Sequence, residues 1–313
     1  MLGRTANGLY WMYRYLERAE NTSRLVETGQ RLALTRMGTS DDEWRPVLQS
    51  AGVYEAYKAH NDTLTKDAAM DWMLRAPANP SSVKSCFDAA RANARAVRTA
   101  LTEESWEAVN GAYIEVKELL ARKLRERDLP QALSRIRRHT ALVRGTTHGT
   151  MLRNDIYDFV RIGTFLERAD NTARILDVKY YVLLPTAFGV GSSIDNVQWE
   201  TILSSNSARG GYRTAHGNSP RPREIAHFLI LDRRMPRSLA FCVSKIRDNL
   251  AYIADDYGSR MPSHDLADEL NRACAGQDID IIFNDGLHQY LQDFLLRLAE
   301  LARQIEVDYR FTE

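Results

Sequence analysis

Eleven residues occur twice in this chain. Tyr15-Leu16-Glu17-Arg18-Ala19-Glu20-Asn21-Thr22-Ser23-Arg24-Leu25 returns as Phe165-Leu166-Glu167-Arg168-Ala169-Asp170-Asn171-Thr172-Ala173-Arg174-Ile175, with seven of the eleven positions identical and the other four conservative. Neither copy holds Gly or Pro, and both are rich in Leu, Ala, Arg and Glu, so each favours a helix. At roughly 100° per residue, Trp11, Met12, Tyr15, Leu16, Ala19 and Val26 share one apolar arc. Tyr10, Tyr13, Arg14, Glu17, Asn21 and Arg24 share the other. The second copy divides alike, with Ile162, Phe165, Leu166, Ala169 and Leu176 apolar and Glu167, Asn171 and Arg174 polar. Apolar arcs this wide need cover on most of one side, which a multi-helix bundle supplies.

Helical periodicity continues almost throughout, and no convincing alternating strand occurs. The spacing predicts a first helix over 6–36. Ser40-Asp41-Asp42-Glu43 has the form of a capping box, and Trp44, Val47, Leu48 and Ala51 give the helix after it an apolar stripe. A third helix is expected over 61–75. Asn79-Pro80 marks another start, and Thr102-Glu103-Glu104 caps a helix that runs toward Arg127 before Pro130 opens the next. Ser204–Arg221, with Gly210, Gly211, Gly217 and Pro220, is expected to be a long loop. On it Arg209, Arg213 and His216 could meet an anion.

The second half retraces the first. The Glu-Arg stretch recurs at an offset of 150 (167 − 17), and Trp44-x-x-Val-Leu-x-Ser meets Trp199-x-x-Ile-Leu-Ser-Ser at 155 (199 − 44). Pro80-x-Ser-Val-x-x-Cys86, with Arg91 and Asn93, meets Pro236-x-Ser-Leu-x-x-Cys242, with Arg247 and Asn249, at 156 (236 − 80). Matches in one order with slowly growing offsets indicate an internal duplication, and two units are too few for a solenoid. The offset grows around Phe188-Gly189-Val190-Gly191-Ser192-Ser193, a loop by composition. The expected fold is therefore all-α: a large bundle of about twelve helices with a pseudo-twofold axis. Its repeats are 1–150 and 151–313, packed as one unit with the helices of 6–36 and 155–184 adjacent at the centre.

Composition narrows the function classes. Of 313 residues, 44% are hydrophobic and 27% charged, with a net charge of +1, which predicts no general attraction to nucleic acid or membrane. No apolar run reaches the length of a membrane span, and Arg4, Asn7 and Arg14 interrupt any signal-peptide core. Three cysteines outside any metal-type spacing point to a reducing cytoplasm. Cys86 and Cys242 are expected to be small core residues. No His-x3-His pair, repeated Glu-x-x-His motif, phosphate-binding loop, dinucleotide fingerprint or nucleophile elbow occurs, so no metal site is expected and no recognisable motif encodes a cofactor site.

The chemistry-bearing residues are then the two Glu-Arg copies and one arginine-rich helix. In one reading the polar arcs meet across the axis and clasp each other, Arg24 with Glu167 and Arg174 with Glu17. In the other they line a cleft: Arg14, Arg18, Asn21, Arg24, Arg168, Asn171 and Arg174 bind a carboxylate or phosphate, with Glu17 or Glu167 as acid/base groups. Arg91, Arg95 and Arg98 recur at helical spacing and form one face, which with Asn93 could extend that basic surface.

These residues also carry a resemblance. Met1-Leu2-x-Arg4, Leu9-Tyr10-Trp11-Met12-x-Arg14-Tyr15-x-Glu17-Arg18-Ala19-Glu20-Asn21 resembles the opening of the bacterial alpha-E domain family. Further matches are Asn79-Pro80-Ser81-Ser82, Ala90-Arg91-x-Asn93-Ala94-Arg95-x-Val97-Arg98, Trp106-Glu107-x-x-Asn110 and Phe165-Leu166-Glu167-Arg168-Ala169-Asp170. The resemblance spans nearly the whole chain and is weakest over 204–221. It implies partners: an ATP-grasp amide ligase, on which alone ATP is expected, and a transglutaminase-like peptidase. Two functions follow as expectations. The chain is a binding component that holds an acidic peptide or small anionic ligand for such a ligase, or an enzyme of amide-bond chemistry with Glu17 or Glu167 as general base.

Overall fold

Gly3–Ala33 (α1) and Asp155–Leu183 (α8) are the two longest helices and lie side by side at the centre of the molecule. Their approach is set by Gly163: a Cβ built there would stand 2.4 Å from the Tyr10 carbonyl oxygen, so only glycine lets the backbones come this close. Ala19 and Ala169 are likewise buried, and Leu9, Met12, Leu16, Ile162, Phe165 and Leu166 turn the predicted apolar arcs into core. Each of the Leu, Ile, Met and Phe side chains contributes roughly 1.5–3 kcal/mol on burial.

In this computed structural model, residues 1–33, 44–183, 193–219 and 221–311 are described. Between α1 and α8 run α2 (Arg45–Ser50), α3 (Tyr54–His60), α4 (Lys66–Leu74), α5 (Val83–Ala96), α6 (Glu103–Leu119) and α7 (Leu129–Thr150). After α8 come α9 (Ser193–Ser205), α10 (Arg209–His216), α11 (Pro222–Ile230), α12 (Leu239–Tyr257), α13 (Pro262–Ala275), α14 (Ile279–Asp285) and α15 (Leu287–Asp308). The described residues thus form fifteen α-helices and no strand, where about twelve helices were expected, because several expected segments break into short pieces. α5 and α7 pack on α1, and α12 and α15 on α8. One apolar core takes in residues of both halves.

Several starts and stops differ from expectation for local reasons. α1 begins three residues before the expected start (6 − 3). The Ser40 capping box lies outside the described residues, as does nearly all of the Phe188–Ser193 break. The third expected helix shortens to α4, capped by Thr65, with α3 before it. Asn79 caps no helix: its Nδ2 donates to the Trp72 carbonyl and its Oδ1 accepts from the Ser81 backbone. The cap of α5 is Ser82, whose hydroxyl accepts from Ser85 N–H, while Thr102 caps α6 as predicted. α6 stops at Leu119, short of Arg127. Within 204–221 the glycines do not prevent a helix. Tyr212 is buried, and a Cβ on Gly211 would stand 3.3 Å from the Phe228 ring, so α10 is held by packing.

Contacts recur at the matched positions of the halves. Cys86 and Cys242 are buried and donate to the Pro80 and Pro236 carbonyls at 3.7 and 3.8 Å. Thr22 donates to Ser81 O and Thr172 to Arg237 O, at 3.3 and 2.8 Å. Ser82 and Ser238 cap α5 and α12.

A buried arginine–carboxylate network and its open side

The polar arcs of α1 and α8 face each other, and their carboxylates are shielded from solvent: Glu17 is 1% exposed and Glu167 4%. Unpaired, such charges would cost several kcal/mol. Neighbours on a helix point about 100° apart, so Glu17 and Arg18 cannot meet each other. Each instead meets the other helix. Arg18 grips Glu167 bidentately, Nε to Oε1 at 2.6 Å and Nη2 to Oε2 at 2.9 Å. Arg168 grips Glu17 likewise, Nε to Oε1 at 3.0 Å and Nη2 to Oε2 at 3.1 Å. The Glu-Arg dipeptide of each copy therefore supplies the acid of one clasp and the base of the other.

This corrects the pairing expected from the sequence. Arg24 does not reach Glu167, nor Arg174 Glu17. Each lies one turn beyond an acid of its own helix and bonds there: Arg24 to Glu20 at 2.7 Å, and Arg174 to Asp170 at 2.6 and 3.1 Å. Arg24 also donates to Ser207 Oγ at 2.7 Å.

Beyond these shared pairs the two sides differ. Around Glu17 and Glu20, two further guanidiniums close the site. Arg237, in the turn before α12, reaches Glu17 at 3.1 Å and Glu20 at 2.6 Å. Arg144, on α7, reaches Glu17 at 3.2 Å and also pairs with Glu20, which accepts from Thr140 as well. Asn21 bridges the sides, donating to Glu167 O at 3.4 Å and accepting from Arg237 at 3.5 Å. Helical spacing already allows Glu20 to meet Arg24, but sequence reasoning missed Arg144 and Arg237; Arg237 carried no signal, since it fills an unspecified place in the Pro-x-Ser match.

The charges are mutually held. Burial pushes the Glu17 carboxyl up, but Arg168, Arg237 and Arg144 overcome it and leave its pKa below the ordinary range. Glu20 lies well below, by the same contest with Arg237, Arg144 and Arg24. Glu167, buried but beside Arg18 and Arg14, is lowered to about 2. At Arg237 burial prevails over its acidic partners, and the guanidinium falls to about 10.

Around Glu167 and Asp170 the structure is open. A cleft of about 350 Å³ is lined by Arg14, Arg18, Asn21, Asn79, Ser81, Glu167, Asp170, Asn171, Arg174, Ala299 and the 51–53 turn. Arg14 adds a third guanidinium, Nε to Glu167 Oε2 at 3.1 Å, and lies 4.6 Å from the Trp11 ring centre. Three arginines face two carboxylates there, an excess of one positive charge (3 − 2). Asn171 is 4% exposed, and its Nδ2 has no hydrogen-bond partner, a cost that a ligand oxygen would remove. Gly52, at φ 69°, forms part of the wall where a Cβ would stand 3.2 Å from Arg174 Nη1.

The remaining predicted residues lie elsewhere. Arg91 bonds Asn110 at 2.9 Å and covers Tyr113, and Arg98 covers Trp106, so this arginine face packs on α6. Arg95 points to solvent, and neither it nor Asn93 lines the cleft. On α10, Arg209 pairs with Glu200, His216 stacks on Tyr212, and Arg213 is exposed. A second cavity, of about 560 Å³ between α8 and α12, holds Asp158, Arg161, Lys245 and Tyr252. Asp158 there is pushed up to about 7 by burial and by the nearby Asp256 and Asp155.

A family profile described as a predicted alpha-helical domain with a conserved ER motif matches residues 1–309. Uncharacterized proteins of Mycobacterium bovis and Mycobacterium tuberculosis are 24% identical over 324 aligned positions, which take in 96% of this chain. The chain spans 36% of the length of these relatives. No solved structure matches. No described helix is long and apolar enough to cross a membrane.

Proposed function

The chain belongs to the Alpha-E family, and from that premise we propose that it is the binding component of an ATP-grasp amide-ligase system that makes or modifies a peptide. Its cleft, framed by Arg14, Arg18 and Arg174, holds an acidic or phosphorylated ligand. The observation that carries this reading is the cleft's composition: three guanidiniums against two carboxylates, beside the unpartnered Asn171 amide. Guanidinium forks suit planar anions, and low-dielectric walls strengthen the attraction.

The alternative, general-base catalysis by Glu17 or Glu167, fits less well. A base needs a free lone pair aimed at its substrate and a pKa near the working pH. Both oxygens of each carboxylate are held by arginines, and both groups are shifted below the ordinary range. They are better placed to hold arginines in position than to move protons.

Calorimetric titration with an acidic peptide and with inorganic phosphate tests the anion site. Arg174→Met is expected to weaken binding at least tenfold, while Arg95→Ala, outside the cleft, leaves it unchanged. Equal binding by both variants would overturn the assignment. Co-purification at physiological salt tests the partnership: recovery of an ATP-grasp ligase supports it, and repeated failure counts against it.

A further inference from the structure

The two sides of the network are built on matched positions, and their difference points to the ligand's chemistry. Thr22 bonds Ser81 O as Thr172 bonds Arg237 O, so Ser81 and Arg237 stand in corresponding places. Arg137 on α7 pairs with Glu27 at 2.9 Å, and Gln292 on α15 bonds Asp177 at 2.8 Å, which aligns those two helices. Seven residues farther along each (144 − 137 and 299 − 292) stand Arg144 and Ala299. The two guanidiniums that fill the Glu17–Glu20 side are therefore matched by a serine and an alanine, and both line the open cleft. Asp170 consequently keeps one arginine partner, Arg174, where Glu20 has three, and its side chain stays 29% exposed.

We propose that the cleft takes a zwitterion, an α-amino acid or a peptide end that presents an ammonium beside a carboxylate. This rests on the anion-binding reading above and deepens it. The ammonium sits against Asp170, in the space that Arg237 and Arg144 fill on the other side. The carboxylate meets Asn171 Nδ2 and the remaining N–H groups of Arg18 and Arg174. Glu167 already accepts three bonds from Arg14 and Arg18 and is buried, while Asp170 accepts two from Arg174 alone and is partly exposed, so Asp170 is the acceptor for the ammonium. A volume of about 350 Å³ suits one or two residues rather than a long peptide.

The test is calorimetry on the full chain with L-glutamate, L-alanyl-L-glutamate, their N-acetyl forms and inorganic phosphate. Both free-amine ligands are expected to bind if a peptide end is accepted, and L-glutamate alone if only a free amino acid is. N-acetylation is expected to weaken binding at least tenfold, and Asp170→Asn to remove that discrimination. Ser81→Arg and Ala299→Arg, which install the matched arginines, are expected to abolish binding while the melting transition persists. If N-acetyl ligands and phosphate bind as tightly as the free amines, the zwitterion is refuted and the anion cleft stands. If no ligand binds to the folded wild-type chain, both fall.

Discussion

Arg18→Met isolates one clasp. Glu167 loses a bidentate partner, with bonds of 2.6 and 2.9 Å, and keeps only Arg14 at 3.1 Å. Stranding a buried charge costs about 3–5 kcal/mol. The surviving Arg14 and the partial exposure of Arg18 reduce that to about 2–3 kcal/mol at neutral pH. The loss must also depend on pH. Glu167 titrates at about 2 in the folded chain, below its ordinary value, so its contribution is present above the unfolded value and disappears as pH falls through the folded one. Weakening the clasp raises the folded value. The gap between wild type and variant is therefore full above about pH 5 and closes toward pH 2. Urea melts at several pH values, with linear extrapolation, measure it. Arg24→Met is the control: Glu20 keeps Arg237 and Arg144, so the loss is about 1 kcal/mol or less. A double-mutant cycle with Glu167→Gln should return a coupling of about 1–3 kcal/mol. Equal losses for Arg18→Met and Arg24→Met, or a loss unchanged by acid, would refute the clasp.

Gly163→Ala pushes a methyl against the Tyr10 backbone and is expected to cost about 3 kcal/mol in a denaturant melt, with loss below about 0.5 arguing that α1 and α8 slide freely. Gly111→Ala, on the exposed face of α6 with open space around it, should instead stabilise by about 0.5–1 kcal/mol. Asp158 stays protonated to about pH 7 in the folded chain, while the unfolded chain releases the proton at ordinary acidity. Its contribution to stability therefore falls as pH rises from about 4 to 7 and is level above. Asp158→Asn should remove that slope, and melts of both proteins with parallel pH profiles would contradict the shift.

The central helices were legible because burial imposes a period on sequence, and Leu16, Ala19, Leu166 and Ala169 obey it. Charge pairing was less legible, for a geometric reason. Spacing along one helix puts Arg24 one turn beyond its partner Glu20, but the partner of Glu17 is decided by how α1 crosses α8, and that is set by Gly163 and Tyr10. The arginines that complete the network come from elsewhere in the chain. Arg144 lies on α7 among other arginines, and Arg237 occupies a place where only the flanking Pro236 and Ser238 match the first half. The helix over 209–216 was hidden by its glycines, since local propensity speaks against it and the packing of Tyr212 on Phe228 decides for it.

The repeated Glu-Arg stretch thus builds the same framework on both sides, and what makes one side filled and the other open lies in residues outside its identities. Both copies form the same cross-helix clasp and the same one-turn pair, so neither feature alone makes a site. What separates a filled side from an open one is Arg237 against Ser81, Arg144 against Ala299, and Arg14 against Thr164, whose hydroxyl turns back to the Val160 carbonyl. A buried network of this kind adds little net stability compared with apolar packing, but it fixes geometry, because each fork accepts its carboxylate in one orientation. Fixing α1 against α8 holds Arg14, Arg18 and Asn171 around the cleft before any ligand arrives, so little binding energy is lost to ordering them. On this account, substitutions at the clasp residues act on stability first and on binding through it. Substitutions at Ser81, Ala299 and Asn171 act on binding with the fold intact.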